Sequence, residues 1–198
     1  MGKGNRSKSL TSELRIISGQ WRGRKLRFPA EQHLRPTTDR IRETLFNWLS
    51  PIIHGCSCLD LYAGSGALGF EALSRGAANS HFVETNRSAC KALEANRDQL
   101  QTKHGVIHHQ SATNFLTNNQ LDFDIIFIDP PFAYQDLGDV IELIANQQAI
   151  KPGGMVYIEQ PSDRPAPKIP ANWSLHREKQ AGQVCYRLYQ LDCSHDMD

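Results

Sequence analysis

The stretch "LDLYAGSGALG", residues 59–69, places Gly64, Gly66 and Gly69 in the pattern G-x-G-x-x-G. The residues "CSCLDLY" predict a strand before the glycines, and "ALGFEALSR" predicts a helix after them, closed by Gly76. The glycine motif alone is a weak signal, but its position between a strand and a helix is the one typical of ligand-binding loops. Because glycines let the backbone approach a ligand at a helix N-terminus, the stretch predicts a cofactor site. The alternative is a tight strand–helix turn with no ligand.

Strands and helices continue to alternate after this motif. The predicted strands are "SHFVE", "VIHH", "DIIFID" and, after a turn at "KPGG", "GMVYIEQ"; the predicted helices are "RSACKALEANRDQLQ", "ATNFL" and "LGDVIELIANQQ". The stretches "WSLHREK" and "VCYRLYQ" have no helix between them, so they should pair as a hairpin. Repeated β–α units predict an α/β fold: a mostly parallel sheet with helices on both faces and an antiparallel edge.

The front of the chain is basic and the rest is acidic. Residues 1–42 hold 11 Lys or Arg against three acids, a balance of +8, whereas the remainder is at −7 and the whole chain at +1. The stretch "ELRIISGQWRGRKLRFP" predicts a β-hairpin, and "RPTTDRIRETLFNWLSP" predicts a helix capped by Thr37 or Thr38. Such an asymmetry indicates a polyanion-binding surface confined to one region. Solubility alone is the alternative explanation for these charges.

The basic region also suggests how the chain is divided. We expect a basic extension with a hairpin over residues 1–36, a cofactor-binding domain over residues 37–192, and a tail over residues 193–198. The residues predicted to bind RNA are Arg22, Arg24, Lys25, Arg35, Arg40 and Arg42.

Bulk composition excludes several classes of protein. The 198 residues suit one domain or one domain with an extension, and no apolar run is long enough to cross a membrane. Five cysteines without the spacing of a disulfide scaffold indicate reduced thiols and a cytoplasmic setting. Cys56 and Cys58 lie two apart on a predicted strand and are interpreted as buried small hydrophobes, so we expect no metal site.

Two acidic residues near the glycines distinguish between cofactors. Glu84 ends the next predicted strand, where an acid can hold ribose hydroxyls, which suits a dinucleotide dehydrogenase as well as a methyltransferase. Asp60 lies four residues before Gly64, and a carboxylate there would repel a pyrophosphate in a partly desolvated pocket. S-adenosylmethionine carries an ammonium, a sulfonium and a ribose but no phosphate. The charge of Asp60 therefore favours the methyl donor.

The residues "DPPF", 129–132, follow the buried strand "DIIFI". Two prolines hold a rigid corner, because each fixes its own φ and restricts the residue before it. At a strand end beside the cofactor, the Asp129 carboxylate and the Pro130 carbonyl could accept the two hydrogens of a nucleobase amine. Phe132 could stack on a base taken out of its helix, worth roughly 1–3 kcal/mol. The alternative is a strand terminator with one core aromatic residue.

Together these motifs resemble a known family. The order "LDLYAGSGALG", Glu84 and "DPPF" resembles class I S-adenosylmethionine-dependent amino-methyltransferases. The stretches "RIISGQWRGRKL", "LRPTTDRIRETLFNWL" and "ANWSLHREKQAGQVCYRLYQ" extend the resemblance to the bacterial RsmD family over nearly the whole chain. The resemblance implies a Rossmann-like fold with a seven-stranded sheet, and methylation of N2 of guanine 966 in 16S rRNA, on the small ribosomal subunit during ribosome biogenesis. We expect a monomer.

The resemblance also implies roles for individual residues. The catalytic residues would be Asp129, Pro130, Pro131 and Phe132. The residues that bind S-adenosylmethionine would be Asp60, Tyr62, Ala63, Gly64, Ser65 and Gly66 for the methionine part, Glu84 for the ribose, and Ser111 and Ala112 for the adenine. Ser111 stands where related enzymes more often carry Asp or Asn, and Ala112 would act through its backbone amide.

Two alternatives stay open. The first is the same chemistry on another amine, namely adenine N6, cytosine N4 or a protein glutamine. The second, from a different class, is an NAD-dependent dehydrogenase.

Overall fold

A seven-stranded sheet forms the centre of the fold in the computed structural model, which describes residues 11–30, 38–131 and 137–193. Its strands are β3 (Ser57–Asp60), β4 (Asn79–Glu84), β5 (Gly105–His109), β6 (Phe123–Ile128), β7 (Ile150–Pro161), β8 (Trp173–Ala181) and β9 (Val184–Leu191). They lie in the order β5-β4-β3-β6-β7-β9-β8. The first five of these are parallel, whereas β9 runs antiparallel to both β7 and β8. The prediction of a mostly parallel sheet that ends in a hairpin is confirmed.

Five helices of the described residues cover both faces of this sheet. They are α1 (Asp39–Leu49), α2 (Ala67–Ser74), α3 (Arg87–Gln99), α4 (Ala112–Asn118) and α5 (Leu137–Asn146). The first three pack on one face with the residues of one hydrophobic cluster, and α4 and α5 pack on the other face with a second cluster. Within the described ranges, none of the helices has the length and apolar character needed to cross a membrane.

The first helix follows its sequence pattern closely. Thr38 caps α1, its hydroxyl accepting a hydrogen bond from the backbone N–H of Ile41 at 3.4 Å. A cap of this kind contributes about 1 kcal/mol. The residues at helical spacing that are buried are Ile41, Leu45, Phe46 and Leu49. Trp48 is only half buried and packs against Tyr186 of β9, with the two rings tilted and their centroids 5.4 Å apart. Thr37, the other candidate cap, lies outside the described residues.

Two local predictions were wrong. The residues "KPGG" were predicted as a turn before a strand, but they lie inside β7. The pairing with β6 jumps there from Ile150 opposite Phe123 to Met155 opposite Ile125, so the extra residues form an irregularity rather than a chain reversal. Cys56 was placed on the same strand as Cys58, but β3 begins at Ser57.

The basic N-terminal segment forms the predicted hairpin. Strands β1 (Thr11–Arg15) and β2 (Lys25–Pro29) pair antiparallel, with Arg15 opposite Lys25. The side chains on its inner face are buried in the same cluster as α1, α2 and α3; they are Leu14, Ile16, Leu26 and Phe28. The hairpin is therefore packed against the sheet-covering helices rather than held by its connection alone.

Polar side chains from two helices also fix the hairpin. Fully buried Glu71 of α2 accepts hydrogen bonds from the backbone N–H groups of Ile17 and Ser18 at 2.8 and 3.0 Å. Asn96 of α3 accepts from the N–H of Arg27 at 3.0 Å and donates to its carbonyl at 2.9 Å. Buried polar groups that lose such partners cost about 1–3 kcal/mol each, so these contacts hold the hairpin in one orientation.

The turn of the hairpin gives a first testable prediction. Gly19 has φ +80°, and a Cβ there would lie 1.8 Å from the carbonyl oxygen of Ser74, whereas Gly23 has φ +84° with nothing near its Cβ position. Gly23→Ala should cost about 1–2 kcal/mol for the left-handed backbone alone. Gly19→Ala should cost about 3 kcal/mol or more, because it adds a steric clash with α2. Denaturant unfolding measures the free energy of unfolding of both variants. Equal losses of stability would mean that the turn does not dock on α2.

Candidate cofactor and catalytic site

Four acidic side chains lie at the carboxyl ends of four adjacent parallel strands. Glu84 ends β4, Asp60 ends β3, Asp129 follows β6 directly, and Glu159 lies near the end of β7. In open α/β sheets, ligands bind in the crevice beyond these ends of the strands. The sheet order therefore brings together Asp60, Glu84 and Asp129, which are far apart in the sequence.

The strand register places Asp60 of β3 and Glu159 of β7 on a common face of the sheet. Asp60 lies opposite Phe127 of β6, and Ile128 lies opposite Ile158 of β7. Side chains alternate along a strand, so Glu159 points to the same side as Tyr157. Phe127 and Tyr157 both belong to the cluster covered by α1, α2 and α3. The ligand crevice is therefore expected on that side of the sheet.

Asp60 is buried, at 2% exposure. Its Oδ2 atom accepts a hydrogen bond from the backbone N–H of Gly69, in the first turn of α2, at 3.1 Å. Burial raises the pKa of Asp60 to about 7, and the charges of Asp129 and Glu84 add to this, while the N–H groups of Gly69 and Tyr62 act in the opposite direction. A cation placed beside Asp60 would favour its ionised form. The site is thus built to gain from a positively charged ligand.

The glycine loop connects Asp60 to Glu84. The backbone N–H of Gly64 donates to Glu84 Oε2 at 2.8 Å, and that of Asn86 donates to Glu84 Oε1 at 2.7 Å. These bonds hold the carboxylate at the crevice, and a carboxylate has acceptor capacity left for ribose hydroxyls. Gly66 precedes α2 with φ +79°, a conformation that favours glycine.

The remaining loop residues are well packed. Ala63, Gly64, Ser65 and Gly66 are buried, and Tyr62 is half buried. At Gly69, the third glycine of the motif, a Cβ would lie 2.2 Å from the Phe82 ring. This third glycine therefore allows α2 to approach β4 closely.

The residues predicted to contact adenine lie where α4 begins. Ser111 caps α4, its hydroxyl accepting from the N–H of Asn114 at 3.1 Å, and Ala112 is buried. This position follows β5, whose His109 pairs with Glu84. The Ser111 hydroxyl is therefore part of the helix cap, which favours backbone contacts at this point of the site.

The proline corner follows β6 as the sequence predicted. Asp129 and Pro130 are half buried and Pro131 is exposed, whereas Phe132 lies outside the described residues. The charge of Asp129 contributes to the raised pKa of Asp60 and also to that of Tyr157. Asp129 therefore lies between Asp60 and the end of β7.

Sequence reasoning missed Glu159. It is 4% exposed, and its Oε1 atom accepts a hydrogen bond from the Tyr157 hydroxyl at 2.8 Å. The available signal was an acid inside the apolar strand "MVYIEQ", where a charged residue needs a partner or a role.

The six predicted RNA-binding residues differ in their exposure. Arg22, Arg24, Lys25 and Arg40 are exposed, as a phosphate contact requires, while Arg35 lies outside the described residues. Arg42 does not fit, because it is 1% exposed and its Nη2 atom donates to the Arg15 carbonyl at 2.9 Å and to Asp39 Oδ1 at 2.6 Å. Its place in the helical repeat of α1 turns it inward, where it ties the helix to β1.

The residues that line the crevice suit S-adenosylmethionine. A buried carboxylate at Asp60 can compensate an ammonium, Glu84 can accept from ribose hydroxyls, and the loop at Gly64–Gly66 brings the backbone close to the ligand. A pyrophosphate would instead meet Asp60 as a like charge.

Comparisons with known proteins agree with this geometry. The family described as Conserved hypothetical protein 95 matches residues 14–190. The "Ribosomal RNA small subunit methyltransferase D" of Escherichia coli K12 is 46% identical over all of this chain and 99% of its own length. The protein of the same name from Haemophilus influenzae is 45% identical over 90% of this chain and 94% of its own. A solved Escherichia coli structure named "Putative methyltransferase yhhF" superposes with a TM-score of 0.87 at 45% identity, covering 92% of this chain and all of that one.

The fold, the crevice and these relatives together define a class I methyltransferase that uses S-adenosylmethionine. Within this class, the chain belongs to the RsmD family.

Proposed function

We propose that the protein transfers the methyl group of S-adenosylmethionine to N2 of a guanine in 16S rRNA, with guanine 966 as the target, in the cytoplasm during assembly of the small ribosomal subunit. The relatives are named ribosomal RNA small subunit methyltransferases, and these names support an rRNA substrate. The observation that carries the chemistry is the rigid Asp129–Pro130 corner beside Asp60 at the carboxyl ends of β3 and β6.

The residues of this corner would act on the amine. S-adenosylmethionine supplies an electrophilic methyl group on a sulfonium. The lone pair of an exocyclic amine is delocalised into the base, so the amine is a poor nucleophile. The Asp129 carboxylate and the Pro130 carbonyl would accept its two hydrogens and point the lone pair at the methyl carbon, and such positioning is the main help the reaction needs.

The bond changes balance without a further reagent. The N–C bond forms as the S–C bond breaks, leaving S-adenosylhomocysteine and a cationic amine. That amine loses one proton, which Asp129 can take once the nitrogen is charged and then release to water. Asp129 therefore acts first as an acceptor and only afterwards as a base.

The hairpin would hold the RNA. Its exposed Arg22, Arg24 and Lys25 lie at or near its turn, and Arg40 lies on the first turn of α1. Because Glu71 and Asn96 fix the hairpin to α2 and α3, these charges have a set orientation relative to the crevice. A preformed surface of this kind suits RNA, which proteins recognise largely by its shape.

A triple variant tests this surface. Replacing Arg22, Arg24 and Lys25 by alanine should leave cofactor affinity unchanged and weaken rRNA binding. The log–log dependence of affinity on salt should become shallower by about two to three units, since each neutralised phosphate contributes roughly 0.7–0.9. Binding titrations at several salt concentrations measure the slope.

The matched control removes the same charge elsewhere. Lys91, Lys103 and Lys168 are exposed and lie outside the hairpin and α1, and their replacement by alanine should change the slope much less. Equal slopes for both triple variants, on assembled subunits and on naked rRNA, would place the RNA-binding surface elsewhere.

The substrate class is tested by methyl incorporation. Labelled S-adenosylmethionine is supplied with small subunits, large subunits, tRNA and cell protein from a bacterium that lacks its own member of the family. The label should enter 16S rRNA and little else. Incorporation mainly into protein would favour the glutamine alternative, and incorporation into another RNA would contradict the proposed substrate.

A further inference from the structure

The acidic side chain of Glu159, near the end of β7, has no part in the proposed methyl-transfer step. The β6–β7 pairing ends with Ile128 opposite Ile158, so Glu159 comes one residue later, beside Asp129. Adjacent strands lie about 4.8 Å apart, which keeps both side chains within reach of one base edge.

The orientation of Glu159 is set from within its own strand. The Tyr157 hydroxyl donates to its Oε1 atom at 2.8 Å, and both residues are buried. Burial, and then the charge of Glu159, raise the pKa of Tyr157 well above its ordinary value, so the phenol stays a donor. A carboxylate offers about four acceptor positions, so it can accept hydrogen bonds from more than one donor at a time. Glu159 is thus presented as an oriented acceptor.

We propose that Glu159 is a specificity-determining residue that accepts a hydrogen bond from N1–H of the target guanine. This inference rests on the proposed function. The pair formed by Asp129 and Pro130 recognises an exocyclic amine, and adenine and cytosine carry such an amine too. The neighbouring ring nitrogen distinguishes the bases, because N1 of guanine is a donor, whereas N1 of adenine and N3 of cytosine are acceptors.

Discrimination follows from the cost of an unmatched buried acceptor. A buried carboxylate that faces a ring acceptor gains no hydrogen bond from it, and the lone pairs of the two acceptors repel each other. Sites built to bond a particular donor can reject an analogue that lacks it by large factors. Glu159 would therefore select guanine after Asp129 has selected an amine.

The test uses a base that differs from guanine at this contact. 2-Aminopurine keeps the exocyclic N2 amine, but its N1 is an acceptor. Because it also lacks O6, the contact of Glu159 is reported by the change in preference when Glu159 is replaced. Small subunits are reconstituted with guanine or with 2-aminopurine at the target position, and kcat/KM is measured on each. The wild-type protein should prefer guanine by about 100-fold or more.

Glu159→Gln should narrow that preference by at least about tenfold, because the amide can donate to N1 of 2-aminopurine while its oxygen still accepts from Tyr157. Affinity for S-adenosylhomocysteine should not change. Glu142→Gln, an exposed change of equal charge on α5, should leave the preference as in the wild type. Tyr157→Phe keeps the carboxylate but removes its orienting bond, so it should narrow the preference less, and it provides a second test if Glu159→Gln folds poorly.

Failure of the inference about Glu159 can be distinguished from failure of the proposed function. If the wild type methylates guanine but Glu159→Gln and Tyr157→Phe keep its preference, or lose activity equally on both bases, the inference is overturned and the proposed function stands. If the wild type methylates a base other than guanine, both are overturned.

Discussion

Replacing Asp129 by alanine is expected to lower the rate of methyl transfer by about 100-fold or more while leaving cofactor affinity nearly unchanged. The lost interaction is with the target amine, which would no longer be held with its lone pair toward the methyl group. The charge of Asp129 also raises the pKa of Asp60, so its removal favours the ionised form of Asp60 and offsets the loss of Asp129's own attraction for a cationic cofactor.

Single-turnover kinetics at saturating rRNA measure this effect directly. Asp129→Asn keeps an oxygen acceptor but cannot take a proton, so it should retain more activity than the alanine variant. Asp122→Ala removes an exposed carboxylate shortly before β6 and should behave like the wild type. Near-normal turnover of Asp129→Ala would show that this residue is not the acceptor.

Replacing Asp60 by alanine is expected to produce the second large effect, on cofactor binding. Affinity for S-adenosylhomocysteine, which carries the ammonium, should fall by roughly 10- to 100-fold, the value of a hydrogen bond to a charged group. Affinity for adenosine, which lacks the ammonium, should change little. Calorimetry measures the affinity for each ligand. Equal losses of affinity for both would mean that Asp60 acts only by supporting the loop through Gly69.

The same residue gives a pH dependence with a definite sign. The pKa of Asp60 is about 7 in the folded protein against an ordinary value of 3.8, so below pH 7 the free site holds a proton that a cationic ligand must displace. Affinity should therefore fall as pH falls through about 7, by up to about tenfold per pH unit, with protons released on binding. The stability linked to this proton is present at low pH and is lost as pH rises from about 4 to 7. Calorimetry in buffers of different ionisation enthalpy counts the protons, and binding by the wild type that does not vary with pH would contradict the assignment.

Much of the fold could be predicted because its signals are local. The glycines at 64, 66 and 69 mark a strand-to-helix turn, and the spacing of Ile41, Leu45 and Leu49 predicts α1 together with its cap. Asp60, Glu84 and "DPPF" each lie at or near the end of a predicted strand. Since parallel strands end at one edge of a sheet, their convergence could be expected from the order of elements alone.

Features that depend on tertiary packing could not be predicted in this way. Arg42 lies in a run of basic residues, and only the packing of α1 against β1 shows that its guanidinium is buried. Glu159 could be seen as an acid within an apolar strand, but its position beside Asp129 depends on the pairing of β6 with β7. The residues "KPGG" have the composition of a turn, and the pairing of Phe123 with Ile150 keeps them in the sheet instead.

The central claim, methyl transfer to N2 of a guanine in 16S rRNA, is tested most directly by identifying the modified atom. Small subunits from a bacterium without its own family member are incubated with the protein and isotopically labelled S-adenosylmethionine. Nuclease fragments of the rRNA are then sequenced by mass spectrometry. We predict one labelled N2-methylguanine, at position 966, and far less label with the Asp129→Ala variant over the same short incubation. Label on adenine N6, on cytosine N4 or on a protein would contradict the claim.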